Sequence, residues 1–181
     1  MFIDRSYFNQ NSVASLPDSD IVNSLLSNQL FIDRCEKDIL MKLLGRTLYN
    51  DLIANKDTTD ASNKWYKFIH GSTFTVDDVT LTWPGIVNAE KRSFLANYVA
   101  CEVLKQLEFT LSDTGMSRQQ AQNADKVGMM PLYADVWNDV VKMYGDTSLY
   151  AESAYNYLLM TDDVFDGWVF TELAELTSNG I

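Results

Sequence analysis

The sequence predicts a mainly α-helical single domain, with one β-hairpin inserted before its longest helix and an extended arm at each end. Three observations predict it. Apolar residues recur at spacings of three and four over most of the chain. One stretch, Thr73–Trp83, alternates β-branched and aromatic residues about a two-residue polar turn. Both ends carry large apolar groups with no helical period. The 181 residues fit one domain. A chain this long can bury roughly 70% of the surface its unfolded form exposes. The expected boundaries are an N-terminal arm over 1–17, a helical bundle over 18–160 with its hairpin at about 72–83, and an acidic, aromatic C-terminal arm over 161–181.

In chain order, Phe2, Ile3, Tyr7 and Phe8 anchor the first arm among polar residues. Four such groups imply that the arm packs, on its own domain or on a neighbour. Pro17-Asp-Ser-Asp20 is a turn and a helix start. Ile32, Cys35, Ile39, Leu40, Leu43 and Leu44 then make one apolar stripe over about Gln29–Leu44. Gly45 interrupts it, and Leu48, Leu52 and Ile53 carry a second piece to Asn55. After a polar loop, Asn63 caps a short helix containing Trp65, Tyr66, Phe68 and Ile69.

The hairpin is Thr73–Val76, Asp77-Asp78 and Val79–Trp83. A lone hairpin is marginal in water, so it must lie on the helices or pair with another chain. The longest helix follows Pro84-Gly85 and is expected from about Ile86 to Phe109, roughly 36 Å. Ala96, Val99, Ala100, Val103 and Leu107, with Leu95, form its buried stripe, and Glu90, Lys91, Asn97, Glu102, Lys105 and Glu108 its polar side. Thr110–Met130 is polar and Gln-rich, with almost no apolar face. Pro131 suits the first turn of a helix with Val136, Trp137, Val140, Val141 and Tyr144 inward and Gly145 at its end. Asp146-Thr-Ser148 is expected to cap a last helix through about Met160. The final arm alternates acids with Val164, Phe165, Trp168, Val169, Phe170, Leu173 and Leu176. It either folds back on the bundle or docks on a partner.

Net charge is −11, with Lys142 the last basic residue and seven acids in the 39 residues beyond it. Such a chain grips nucleic-acid backbones poorly, since that affinity comes from Lys and Arg. An acidic face beside DNA would repel it. No run of eighteen apolar residues occurs, so no membrane-spanning helix and no membrane partner are expected. The start lacks the basic and apolar parts of a signal peptide, which points to synthesis in a cytoplasm.

Catalytic chemistry finds little footing. No Gly-x-Ser-x-Gly elbow, phosphate loop or dinucleotide fingerprint is present. His70 is the only imidazole and sits where a helix should end, favoured there by the helix dipole. Cys35 and Cys101 fall on apolar helical positions, as small buried hydrophobes do. Asp162-Asp-Val-Phe-Asp166-Gly167 has part of a calcium loop, but Val164 and Leu173 stand where ligands are needed. The sequence therefore predicts no enzyme, no cofactor and no metal.

Surfaces that one chain cannot bury alone are expected to make contacts between subunits or with partners. In the N-terminal arm these are Phe2, Tyr7 and Phe8; at the hairpin tip, Val76, Asp77, Asp78 and Val79. In the polar segment they are Met116, Arg118, Met129 and Met130; in the C-terminal arm, Phe165, Trp168 and Phe170.

Three pieces carry a resemblance. They are Phe31-Ile-Asp-Arg-Cys-Glu-Lys-Asp-Ile-Leu-Met-Lys-Leu-Leu-Gly45-Arg-Thr-Leu-Tyr49-Asn-Asp-Leu52, the Trp83-Pro-Gly exit leading to Phe94-Leu-Ala-Asn-Tyr98-Val-Ala-Cys-Glu-Val-Leu, and Thr114-Gly-Met-Ser-Arg118 before a polar helix. Their order resembles that of the head–tail connector (neck, collar or adaptor ring) proteins of tailed bacteriophages, particularly those infecting Bacteroidetes-type hosts. The resemblance covers roughly residues 20–145. It implies a small helical bundle with a hairpin or long loop. It also implies a homo-oligomeric ring, commonly a dodecamer, below the portal protein. That ring bridges capsid to tail, lines the channel through which DNA is ejected, and meets neighbouring collar or tail proteins. The implied location is the virion neck at the portal vertex, with assembly in the host cytoplasm. The chain departs from the pattern in its acidic, aromatic last 35 residues. The alternative expectation is a soluble helical adaptor or regulator that binds another protein through that arm.

Overall fold

The computed structural model describes residues 2–8, 16–113 (side chains to 108), 130–161 and 165–177. The expected contact residues Met116, Arg118 and Met129, most of the Thr110–Met130 segment, and the run Asp162-Asp163-Val164 lie outside the described residues. The architecture is mainly helical with one two-stranded antiparallel hairpin, as the sequence predicts. A 3₁₀ turn, Arg5–Phe8, is followed by α1 (Asp20–Ser27), α2 (Gln29–Asn55) and α3 (Lys64–His70). Then come β1 (Ser72–Val76), β2 (Val79–Trp83), α4 (Phe94–Asp113), α5 (Met130–Gly145) and α6 (Ala154–Met160). Residues 165–177 form a strap without helix or strand.

Side-chain caps fix the first helices. Ser19 accepts the Val22 N–H at 3.2 Å, and Asn28, which ends α1, opens α2 by accepting the Leu30 N–H at 3.1 Å. α2 is two helical pieces joined at Gly45, whose φ of +73° and ψ of 165° only glycine adopts without strain. A side chain there would meet no atom, so conformation rather than space demands the glycine. Asn63 caps α3 as expected, accepting the Trp65 N–H at 2.8 Å.

α4 is the centre of the bundle, packed on α5, α2, α1 and the 3₁₀ turn. The whole expected stripe is buried, and Phe94, Cys101 and Leu104 are buried with it, because neighbours cover more than one face. Its start differs from the sequence expectation by eight residues. The Asn88 side chain explains this: it donates to the Arg92 carbonyl at 2.6 Å and accepts the Arg92 N–H at 3.1 Å, which closes a local loop in place of a helical turn. Ser93 then supplies the cap, accepting the Ala96 N–H at 3.3 Å. Asn97, expected on the polar side, is buried against α5 and donates to the Met143 sulfur at 3.4 Å.

The hairpin lies on its own helices. Register pairs Thr73 with Thr82 and Phe74 with Leu81, so Phe74, Leu81 and Trp83 share the inner face and are buried. Trp83 stacks on Phe68 and on Tyr157, with ring centres 5.7 and 5.8 Å apart, and its indole N–H donates to the Phe68 carbonyl at 2.8 Å. Two glycines allow this seating. A Cβ on Gly85 would stand 2.5 Å from the Gly71 nitrogen, and one on Gly71 would stand 2.8 Å from the Trp83 carbonyl. The strand exit crosses the α3–β1 junction backbone to backbone, and the Val87 N–H closes the crossing on the Ile69 carbonyl at 2.8 Å.

The last helix begins later than expected. Asp146 accepts the Ser148 N–H at 2.9 Å in a local turn, and Ser153 is the cap instead, accepting the Asn156 N–H at 3.2 Å. The Asn156 amide holds the loop between them, donating to the carbonyls of Ser148 and Ala151 at 2.6 and 2.9 Å.

Candidate functional site

The expected contact residues do not gather into one site. Those described fall in four places, the N-terminal arm, the hairpin tip, the start of α5 and the C-terminal strap, and their burial sorts them.

The N-terminal arm belongs to this chain's own core. Tyr7 and Ile3 are buried, and Phe2 and Phe8 pack against the core. The anchor is Glu36 in α2, whose fully buried carboxylate accepts the Ile3 N–H at 2.7 Å and the Phe2 N–H at 3.0 Å. Burial pushes this carboxyl above its ordinary value, with the two backbone N–H groups pulling the other way. Gln29, two turns earlier on α2, donates to the Ile3 carbonyl at 3.0 Å, so both backbone groups of Ile3 are satisfied by one helix. Tyr7 accepts the Asn88 N–H at 3.2 Å, and the Lys91 ammonium lies 4.7 Å over its ring. The expectation of Tyr7 as a subunit contact is therefore corrected: its ring is spent inside one chain. Nothing in the spacing of residues singles out Glu36, a charged residue on a helix whose other charges are exposed or half-buried.

The hairpin tip is the exposed place. Asp77 and Asp78 have φ of +48° and +66°, the pair of left-handed residues that a two-residue turn of the I′ kind requires. Both are exposed, Val79 is 42% exposed, and Val76 is half-buried against the core. Of the two expectations for the hairpin, lying on the helices or pairing with another chain, the first holds for its base, where Phe74, Leu81 and Trp83 are buried, while the tip stays exposed. Thr73, Thr75, Thr80 and Thr82 cover the outer face as two cross-strand pairs. On the outer edge of β2 the Thr82 N–H is taken by the Glu152 carboxylate at 3.3 Å. Met130, at the start of α5, is 45% exposed.

The C-terminal strap folds back. Phe165 is buried, edge-on to Trp65 at 5.2 Å, and Leu173 is buried with it. Trp168 and Phe170 are half-buried beside Tyr155, with Phe170 at 4.6 Å from its ring. The Trp168 indole donates to the Leu43 carbonyl at 3.1 Å, and the Thr171 hydroxyl to the Lys42 carbonyl at 3.3 Å. These carbonyls belong to the last turn before the Gly45 break, where helical partners run out.

Titratable chemistry is sparse. Burial pushes the free Cys35 and Cys101 thiols up to about 12, so neither is a nucleophile at neutral pH. His70 ends α3 in an exposed position beside the Tyr66 ring at 4.6 Å. Among the described residues no group of three or more His, Cys, Asp or Glu could hold a metal ion. None of the described helices is long and apolar enough to cross a membrane. A small open cavity of about 170 Å³ lies along β1, lined by Lys67, Ser72, Thr73, Thr75, Met160 and Thr161 with Phe74.

No family model matches the chain, and neither a curated protein nor a solved structure gives a significant match to it.

Proposed function

We propose that the chain is a subunit of a head–tail connector ring that sits below a phage portal, bridges capsid to tail and lines the DNA channel. The observation that carries this reading is the exposed tip Asp77-Asp78-Val79, raised on a hairpin whose base is rigidly seated on a closed helical bundle. A ring subunit needs a rigid body and projecting contacts that repeat around an axis. The ordered motifs of residues 20–145 add the family to which such a body is similar. A net charge of −11 suits a channel wall that DNA must pass without sticking.

The chain is expected to assemble head-to-tail, with the tip of one copy meeting the bundle of the next or the portal above. Light scattering and electron microscopy of the purified protein, alone and mixed with a tailed-phage portal protein, test this. Closed rings, alone or on the portal, support it. A chain that stays monomeric and never binds portal sinks it.

A further inference from the structure

One face of α2 that turns away from the core mixes apolar and basic residues. Leu30, Arg34, Lys37 and Met41 follow one another at spacings of four, three and four, which puts them in one stripe. Leu30 is 78% exposed, Arg34 and Lys37 are exposed, and Met41 is half-buried. Among the described residues no large apolar side chain is more exposed than Leu30. The Arg34 guanidinium leans on Phe31, 5.7 Å from the ring centre. Among the described residues neither Arg34 nor Lys37 has an ion pair or a side-chain hydrogen bond. Lys42 and, past the break, Arg46 are exposed too, while Asp33 is half-buried and accepts from Gln29. A chain of net charge −11 thus keeps four exposed cations on this helix against one exposed acid, Asp38.

The hairpin tip is the complement of this stripe. It offers two acids and then an apolar group, Asp77, Asp78 and Val79, the last 42% exposed. Among the described residues neither Asp77 nor Asp78 has an ion pair or a side-chain hydrogen bond. Both are fixed at positive φ, and the strands beneath them are seated through Trp83 on Phe68 and Tyr157. A tip held this way loses little freedom on docking. Leu30 to Lys37 covers roughly 10 Å of helix axis, which a three-residue tip bridges with the reach of the Arg34 and Lys37 side chains. A nucleic-acid backbone fits the stripe less well. Phosphates gain nothing from Leu30 or Met41, and Asp33 and Asp38 flank the cations.

We propose that the α2 stripe is the receptor for the hairpin tip of a second copy, with Asp77 and Asp78 meeting Arg34 and Lys37, and Val79 meeting Leu30. The contact joins two different surfaces, so it is head-to-tail, and each added copy brings a tip and a stripe of its own. The charge match names the second copy; that the contact repeats around an axis rests on the ring reading above.

Charge reversal in mixed full-length chains tests this. One variant carries Asp77→Asn with Asp78→Lys, the other Arg34→Glu with Lys37→Glu. Sedimentation velocity and light scattering follow association, alone and with a tailed-phage portal protein, and circular dichroism checks the fold. Each variant alone should associate about tenfold more weakly than the parent chain, the loss of two ion pairs with repulsion added. Mixed in equal amounts, the two should recover most of that loss, since each reversed tip finds a reversed stripe and each native tip a native one. Asp77→Asn with Asp78→Gly, which suits the turn, stands in should the reversed tip misfold, and it should also weaken association. Leu30→Ser should weaken it severalfold while leaving its salt dependence unchanged. A mixture no stronger than its parts overturns the proposal, as does association indifferent to both reversals, or a chain that stays monomeric both alone and with portal. Stripe reversal that weakens binding to duplex DNA and leaves self-association unchanged would assign the stripe to nucleic acid instead. Rings on portal that ignore both reversals would leave the connector reading standing and remove this one; rescue in the mixture without portal binding would do the reverse.

Discussion

The carboxylate of Glu36, wholly buried in α2, accepts the backbone N–H of Ile3 at 2.7 Å. This one contact decides that the N-terminal arm is part of the fold rather than a free tether. A buried carboxylate is stable only when its oxygens are satisfied, and here the arm's own backbone satisfies them.

Removing that carboxylate orphans buried N–H groups. Glu36→Ala is expected to lower stability by about 3 kcal/mol, and Glu36→Gln, which keeps an acceptor, by about half of that at neutral pH. Urea titration measures both, and protease cleavage before Asn28 should quicken in parallel.

The same residue gives a pH signature. Burial holds the Glu36 carboxyl above its ordinary 4.5. A carboxyl raised on folding contributes stability that is full below the unfolded value and is lost as pH rises through the folded value. The stability gap between the wild-type chain and Glu36→Gln should therefore narrow as pH climbs from the ordinary carboxylate range toward neutral. Asp4, Asp60 and Asp146 run the other way. Each accepts from a serine two residues on, which holds its carboxyl below the usual range, so their small contributions fade as pH falls. They are common to both chains and cancel in the difference. A gap that widens with pH would contradict the assignment.

The glycine crossing is the tightest steric demand in the fold. Gly71 and Gly85 have φ of +92° and +82°, and a Cβ on either meets backbone within 3.0 Å. Gly85→Ala or Gly71→Ala should cost more than about 3 kcal/mol, from strain and from loss of the Trp83 stack. Thermal melts with tryptophan fluorescence would read both. A loss under about 1 kcal/mol would show that the hairpin can sit elsewhere.

Much of this was legible in the residues. The hairpin, its Asp-Asp turn, the break at Gly45 and the stripe of α4 follow from alternation, spacing and glycine chemistry. The misplaced starts of α4 and α6 share one cause. Asn88 and Asp146 bond to nearby backbone, which competes with helix formation and leaves no mark on hydrophobic spacing. Glu36 was invisible for another reason. It acts on backbone far along the chain, and a backbone group has no residue signature to search for. The Gly71–Gly85 pair did leave a signal, two glycines flanking the hairpin, that spacing alone did not convert into a contact.

The turn should be improvable. With both Asp77 and Asp78 at positive φ, Asp77→Asn with Asp78→Gly is expected to stabilise the hairpin by roughly 0.5–1 kcal/mol. If the tip meets a neighbouring subunit through its carboxylates, the same variant should assemble less well although it melts at a higher temperature. Separating those two readouts distinguishes a structural turn from a contact.

Trp168 joins the strap to the Gly45 break. Trp168→Phe, which loses only the indole N–H, should cost about 1 kcal/mol, and Trp168→Ala about 2–3 kcal/mol through lost packing on Tyr155 and Phe170. Hydrogen exchange along residues 41–46 should rise in both, more in the second.

The most direct measurement of the proposed role is cryo-electron microscopy of this protein mixed with a tailed-phage portal protein. The account predicts a closed ring under the portal, with the Asp77–Val79 tip at a subunit or portal boundary. Isolated monomers beside bare portals, at concentrations where both proteins are folded, would contradict it.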